Sequence, residues 1–212
     1  MTTPHETREG AQQHAGVEAA DHIVRSKSPY SFGVKVKRVI WMLVGQPSMR
    51  LTFHNWYGVR RGILRLFGAA IDPTARVRAS VRVEQPWNLT IGPNTMVGDH
   101  AVLYCLGKVV IGANCSLSQY AHLCAGTHDY TRPDMPLLTL PITLEDDVWI
   151  AADAFVGPGV VIGAGAVVGA RSSVYKALEP WAVYAGNPVR KIKDRVYDDA
   201  VESEHGTGET DG

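Results

Sequence analysis

The sequence predicts an all-β solenoid, about five triangular coils preceded by a helical segment and interrupted by one protruding loop. The first observation is a period of six. Aliphatic residues recur as Ile71, Val77, Val83 and Leu89, then Ile91, Val97, Leu103 and Val109, then Ile111, Leu117 and Leu123. Past an interruption the spacing resumes with Leu144, Ile150, Val156, Ile162, Val168 and Val174. The second is the openings IDPTA, IGPNT and IGANC, at Ile71, Ile91 and Ile111, with IGAGA recurring near the end. A helix repeats every 3.6 residues and a flat strand every 2, so neither explains six. Three such sides close a triangular coil of about 18 residues, a repeat that buries its apolar side only against its neighbours. One aliphatic per side points inward, and Gly or Asn relieves the corners where positive φ is needed. Slips of two residues at Leu89/Ile91 and Val109/Ile111 add a residue pair to the first two coils, most simply as bulges at corners.

Ahead of Ile71 the periodicity is helical. Val36, Val39, Ile40, Leu43 and Val44 predict a helix over about Gly33 to Val44. Trp56, Val59, Ile63, Leu64, Leu66 and Phe67 predict another over about Ser48 to Phe67, weakened by Gly58 and Gly62. Residues 1–28 are polar and aperiodic and residues 196–212 are acidic, so both are expected to be disordered tails. The helical segment then occupies 29–70, the solenoid 71–180 with its loop at 127–143, and a terminal segment 181–195.

Composition sets the outer bounds. The chain has 212 residues, 45% hydrophobic and 20% charged, which suits one sizeable core. Net charge is zero, yet Arg25–Arg82 holds twelve Lys or Arg against a single acid, Asp72, while Asp194–Gly212 holds seven acids against Arg195. Both read as solvated surfaces; the sharper alternative for the basic part, and for Arg60, Arg61 and Arg65 in particular, is a peripheral contact with a membrane surface. Nothing marks nucleic acid as a partner. Cys105, Cys115 and Cys124 form no CxxC, which argues against a disulfide framework or zinc knuckle and fits a reducing compartment. The polar first residues offer no secretory signal, and the apolar run Val39–Gly45 is far too short to span a bilayer. The expected location is cytoplasmic, with any membrane contact peripheral at the inner face.

The interruption reads GTHDYTRPDMPLLTLP, from Gly126 to Pro141. Pro133, Pro136 and Pro141 cannot donate hydrogen bonds to coils above or below, so this segment leaves the stack. Loops projecting from a rigid scaffold are where reactive groups concentrate. His128 lies at this loop's root, where an imidazole can accept a proton at neutral pH and return it.

Four segments carry a family resemblance: PWNLTIG (Pro86–Gly92), GTHDY (Gly126–Tyr130), VWIAADAFVGPGVVIGAGAVVGA (Val148–Ala170) and AGNPVRKI (Ala185–Ile192). Over about residues 30–195 the chain resembles the hexapeptide-repeat, left-handed parallel β-helix O-acetyltransferases. Within them it is similar to the maltose/galactoside branch and to the colanic acid biosynthesis type. The resemblance implies left-handed coiling, a homotrimer, acetyl-CoA as co-substrate without a metal, and a sugar or glycan acceptor in exopolysaccharide or surface glycan synthesis. It makes His128 the general base that deprotonates the acceptor hydroxyl as it attacks the thioester. It places Asp129, Tyr104, Cys105 and Trp149 on the acceptor side, although Cys105 stands where relatives often carry a polar residue such as Asn. For CoA it implies Trp149, the amides of Ala152 and Ala170, Tyr175 and Lys176, with Arg190 and Lys193 on the phosphates. Tyr175 and Ala177 depart from the Thr and Asp that many relatives have on either side of that lysine.

Other readings share the scaffold. The γ-type carbonic anhydrases hold zinc with three histidines, and His100, His122 and His128 are the available set, but their spacing does not match that pattern. A non-catalytic trimeric scaffold is another reading, opposed by the intact GTHDY loop and the basic AGNPVRKI end. An acyltransferase acting on a small non-sugar alcohol is a third.

Overall fold

A computed structural model describes residues 26–197. The expected tails therefore lie outside the described residues, except for 26–28 and 196–197. The chain winds into a left-handed parallel β-helix whose three faces are parallel sheets. The first face stacks strands Ala70–Ile71, Leu89–Ile91, Val109–Ile111, Ile142–Leu144 and Val161–Ile162. The second stacks Arg76–Val77, Met96–Val97, Ser116–Leu117, Trp149–Ile150, Val167–Val168 and Ala182–Gly186, and closes with Val189–Asp194 running antiparallel. The third stacks Arg82–Val83, Val102–Tyr104, His122–Cys124, Phe155–Val156 and Ser173–Val174. Five coils are thus complete, and a sixth is begun by a parallel bridge of Leu178 to Ile162 on the first face and by Ala182–Gly186 on the second.

Every aliphatic of the six-residue series is buried in one continuous column. The small residues that follow them have a steric cause. A Cβ on Gly92 would lie 2.7 Å from the Gly112 backbone one coil above, so the ladder spacing admits only glycine there. Corners use positive φ as expected, with Asn and Gly prevailing at the first corner and other residues at the second. The first corner takes Asn94, Asn114, Asp147 and Gly165; the second takes His100, Tyr120, Asp153 and Arg171. A left-handed side chain costs roughly 1–2 kcal/mol. Stacking between coils offsets part of that: the His100 and Tyr120 rings lie parallel at 5.1 Å, and Arg171 meets Asp153 at 3.4 Å.

The third corner absorbs the slips. In the first coil it holds a 3-10 turn, Pro86–Asn88, whose Asn88 amide donates to the carbonyls of Cys105 (2.9 Å) and Leu106 (3.0 Å) in the extra residues of the second coil. In the third coil the same corner carries the whole interruption. The expected loop is a β-hairpin: Gly126–His128 pairs antiparallel with Leu137–Thr139, with His128 opposite Leu137. Its prolines fall at the tip and just past the second strand, so none removes a donor from this short ladder.

The helical segment differs from expectation at its break. α1 (Phe32–Ile40) runs through a π-helical turn (Trp41–Gly45) directly into α2 (Gln46–Arg50), while α3 covers only Tyr57–Leu66. Pro47 has no N–H and would crowd the carbonyl four residues back in a regular helix. The wider turn, with Gln46 N–H reaching Trp41 O, lets the helix continue past it. Residues Leu51–Trp56 stay outside any helix, and two of their carbonyls are taken by an arginine.

That arginine belongs to a cap over the open edge of the first coil. Arg60 is fully buried; its Nε donates to Val77 O (2.6 Å), and its other nitrogens to Thr52 Oγ1, Phe53 O and His54 O. Arg61 donates to Ala75 O at 2.9 Å and Arg65 to Ile71 O at 2.9 Å and 2.6 Å. Gln46 spans the third face like a strand residue, giving to Val81 O and taking from Val83 N, each at 2.9 Å. Trp41 donates to Val83 O at 2.6 Å. Side chains thus pair the edge that would otherwise template aggregation. Arg60, Arg61 and Arg65 consequently point at the solenoid, so the membrane contact expected of them is corrected: their charge serves the edge.

Candidate active site

The hairpin at the third corner is held by its own turn. Asp129 Oδ1 accepts from the Thr131 backbone (3.0 Å) and hydroxyl (2.5 Å), and these bonds hold its carboxyl below the usual range. Arg132 grips Asp134 with two bonds of 2.9 Å. Met135 adopts φ 44°, which turns its carbonyl toward the imidazole of His128, 2.7 Å from Nδ1. A carbonyl only accepts, so Nδ1 carries the proton and exposed Nε2 presents its lone pair to solvent. Asp129, expected on the acceptor side, gives one carboxylate oxygen to the Asx turn, and Met135 is the residue that orients the ring. Sequence reasoning missed it, because a left-handed Met leaves no compositional signal.

Cys105 requires a correction. It is fully buried in the solenoid core with its thiol on Leu103 O at 3.3 Å, and burial pushes its pKa far up. The third corner turns it inward, so it contacts no acceptor. Its neighbour Tyr104 stays half-buried on the outside of the third face, where desolvation first and Glu84 second raise its phenol.

Trp149 stands half-exposed on the second face with its indole N–H on Ser118 Oγ at 3.0 Å, a hydroxyl the sequence did not single out. The second face lies opposite the corner that carries His128, so one protomer holds these two residues on opposite sides of its prism. Ala152 and Ala170 stack at the second corner. The Ala152 carbonyl accepts from Arg171 N at 2.9 Å, and among the described residues no bond within the chain uses the amide of either alanine. At the C-terminal end a groove of ≈ 510 Å³ brings together Tyr175, Lys176 and Arg190, with Lys191 beside them. Lys193 lies on the same terminal strand, exposed and outside that groove's lining. Among the described residues neither Arg190 nor Lys193 has an ion pair, whereas Lys191 is bound to Asp194 at 2.7 Å. Donors and cations of this kind fit a pantetheine arm and its phosphates.

The three histidines do not converge. His100 sits at the second corner, His122 on the third face edge-on to Phe155 at 5.4 Å, and His128 on the hairpin. Among the described residues no cluster of three His, Cys, Asp or Glu could hold a metal ion.

A triangular solenoid carrying a projecting, oriented imidazole on a hairpin and a cationic groove at its C-terminal end defines the class of coil-built acyltransferases. The comparisons agree. The family model Bacterial transferase hexapeptide (six repeats) matches residues 141–176. WcaF of Escherichia coli K12, which carries the name of a colanic acid biosynthesis acetyltransferase, is 42% identical over 164 residues, spanning 77% of this chain and 90% of that protein. A maltose O-acetyltransferase of Clostridium difficile 630 superposes with TM-score 0.69 at 27% identity, over 77% of this chain and 89% of that one. A galactoside acetyltransferase solved with coenzyme A shares the fold with TM-score 0.72 at 24% identity, over 81% and 90%. The chain belongs to the hexapeptide-repeat acetyltransferase family.

Proposed function

We propose that this protein moves the acetyl group of acetyl-CoA onto a hydroxyl of a hexose-containing acceptor, in exopolysaccharide or surface glycan synthesis. The observation that carries the reading is the commitment of His128 Nδ1 to the Met135 carbonyl, which leaves Nε2 as an aligned base. Nε2 takes the acceptor's hydroxyl proton as that oxygen bonds to the acyl carbon. When the carbon–sulfur bond breaks, the same nitrogen returns the proton to the CoA thiolate, and no acyl-enzyme forms. Tyr175, Lys176, Arg190 and Lys193 hold the CoA, its phosphates falling to Arg190 and Lys193, and the unused amides of Ala152 and Ala170 take its pantetheine carbonyls. Trp149 lines the acyl side, and Tyr104 and Asp129 border the acceptor. The placement of His128 and Trp149 on opposite sides of one prism supports a homotrimer in which one protomer's hairpin completes its neighbour's groove.

The test couples thiol release to product identification. Incubated with acetyl-CoA and a mixed panel of glycans and simple alcohols, the wild type is expected to yield acetylated sugar by mass spectrometry. His128→Ala should slow release by roughly 10²–10⁴-fold. An unchanged rate removes His128 from the mechanism. Acetylation of non-sugar alcohols alone overturns the acceptor class.

A further inference from the structure

The helix α1 and the π turn that continues it are amphipathic in the reverse sense. Toward the solenoid they send Trp41, Gly45 and part of Arg38. The opposite side carries Phe32, Val36, Val39, Ile40 and Leu43, all exposed, Phe32 at 82% and Leu43 at 65%. A surface helix ordinarily turns its apolar stripe inward, so a stripe turned outward marks a contact. The flanks of the stripe are cationic. Lys35 lies on one side, Lys37 on the other is drawn over the Trp87 ring at 4.4 Å, and the sequence from Ser26 to Ile71 has no Asp or Glu at all. Alongside the helix runs a groove of ≈ 390 Å³, lined by Lys35, Arg38 and Arg82 together with Val39, Met42 and Glu84. Glu84 is shared by Arg38 at 2.8 Å and Arg82 at 3.7 Å, which leaves the groove with a net positive charge.

We propose that this outer face of α1 docks on an anionic phospholipid surface. The apolar stripe enters the acyl boundary while Lys35 and the groove cations meet lipid phosphates. Charge selects this occupant. A second copy of the same face would set cations against cations, with Glu84 the one acid in the groove and already shared by Arg38 and Arg82. The chain's own acidic end, DDAVESEHGTGETDG, has the charge but only Val201 among large aliphatics to fill an apolar stripe. Within the basic part that composition singled out, the surface is the outer face of α1 and not Arg60, Arg61 and Arg65, which are bonded to the strand edge.

Co-sedimentation of the full chain with vesicles tests this, and its readout is independent of acetyl transfer. The protein should pellet with phosphatidylserine-containing vesicles, stay in solution with pure phosphatidylcholine, and be released by salt. Val36→Ser with Leu43→Ser should cut pelleting at least about tenfold, with unchanged thermal melting since both sites are exposed. Lys35→Glu should weaken binding to anionic vesicles without altering the melt. The proposal is overturned if the wild type pellets with neither vesicle, or if the double variant pellets like wild type. It is equally overturned if the double variant lowers the mass seen in ultracentrifugation, which makes the face a contact between copies, or if deleting residues 198–212 is what first allows pelleting.

Discussion

The Nδ1 of His128 meets the carbonyl oxygen of Met135 at 2.7 Å across the tip of one hairpin. The bond depends on a backbone conformation that β-branched side chains resist, φ 44° at Met135. Met135→Val should therefore displace the carbonyl and let the ring rotate. We expect kcat to fall roughly tenfold to a hundredfold with KM for acetyl-CoA little changed, because a small misplacement of a reacting group is that costly. Thermal stability should hold, since the hairpin lies outside the column. Steady-state kinetics beside a melting curve checks both.

Arg60 gives the opposite pattern. Its guanidinium is fully buried and pairs three backbone carbonyls and one hydroxyl. Arg60→Met fills similar space but leaves those acceptors unpaired. A loss of roughly 3 kcal/mol or more is expected, a fall of about ten degrees in Tm for a chain this size. The kinetic constants of the surviving folded fraction should be near wild type. Calorimetry decides it.

His122 supplies a pH test. Burial is the main cause holding its pKa below the ordinary imidazole value, with Arg82 adding to it. As pH falls through about 6.5 the unfolded chain takes up this proton before the folded chain does. Stability is thus fully present above that value and is lost as pH drops toward the folded pKa. In His122→Gln the decline of Tm on acidification should be shallower.

Thiol chemistry separates the cysteines. Cys105 and Cys115 are buried, the latter pushed up to about 11, while Cys124 is half-buried on the third face. Native protein should react slowly at Cys124 with a disulfide reagent and not at the other two until unfolded. Cys105→Ala should cost about 1 kcal/mol through the small cavity it leaves, with acceptor KM unchanged.

The CoA assignment is tested at the phosphates. Arg190→Ala with Lys193→Ala should raise KM for acetyl-CoA roughly tenfold or more and leave kcat largely intact, because binding away from the reacting bond is uniform. A drop confined to kcat would assign these cations elsewhere.

The reach of the sequence is clearest where geometry repeats. The six-residue aliphatics are all buried because each occupies the inward position of its strand, with smaller residues such as Ala75, Ala101 and Ala154 filling the corner two residues before. Pro133, Pro136 and Pro141 likewise located the departure from the stack, since a missing N–H is visible in any sequence. Roles decided by the direction of one bond were invisible. Cys105 read as an acceptor-side group because its facing depends on how a lengthened corner turns. The partner of the His128 ring went unseen because Met135's carbonyl belongs to the backbone. Arg60, Arg61 and Arg65 read as a charged exterior because charge does not report which way an arginine points, and here each points at an open strand.

The third corner has a consequence for redesign. Three successive coils depart there from the minimal length, by a 3-10 turn, by the residues around Leu106 and by the hairpin. Yet Leu89, Val109 and Ile142 resume side by side in register. Length added at this seam never propagates into the lattice. Segments could be grafted or trimmed along it to retune which alcohol is welcomed, while the remaining two edges keep the molecule foldable.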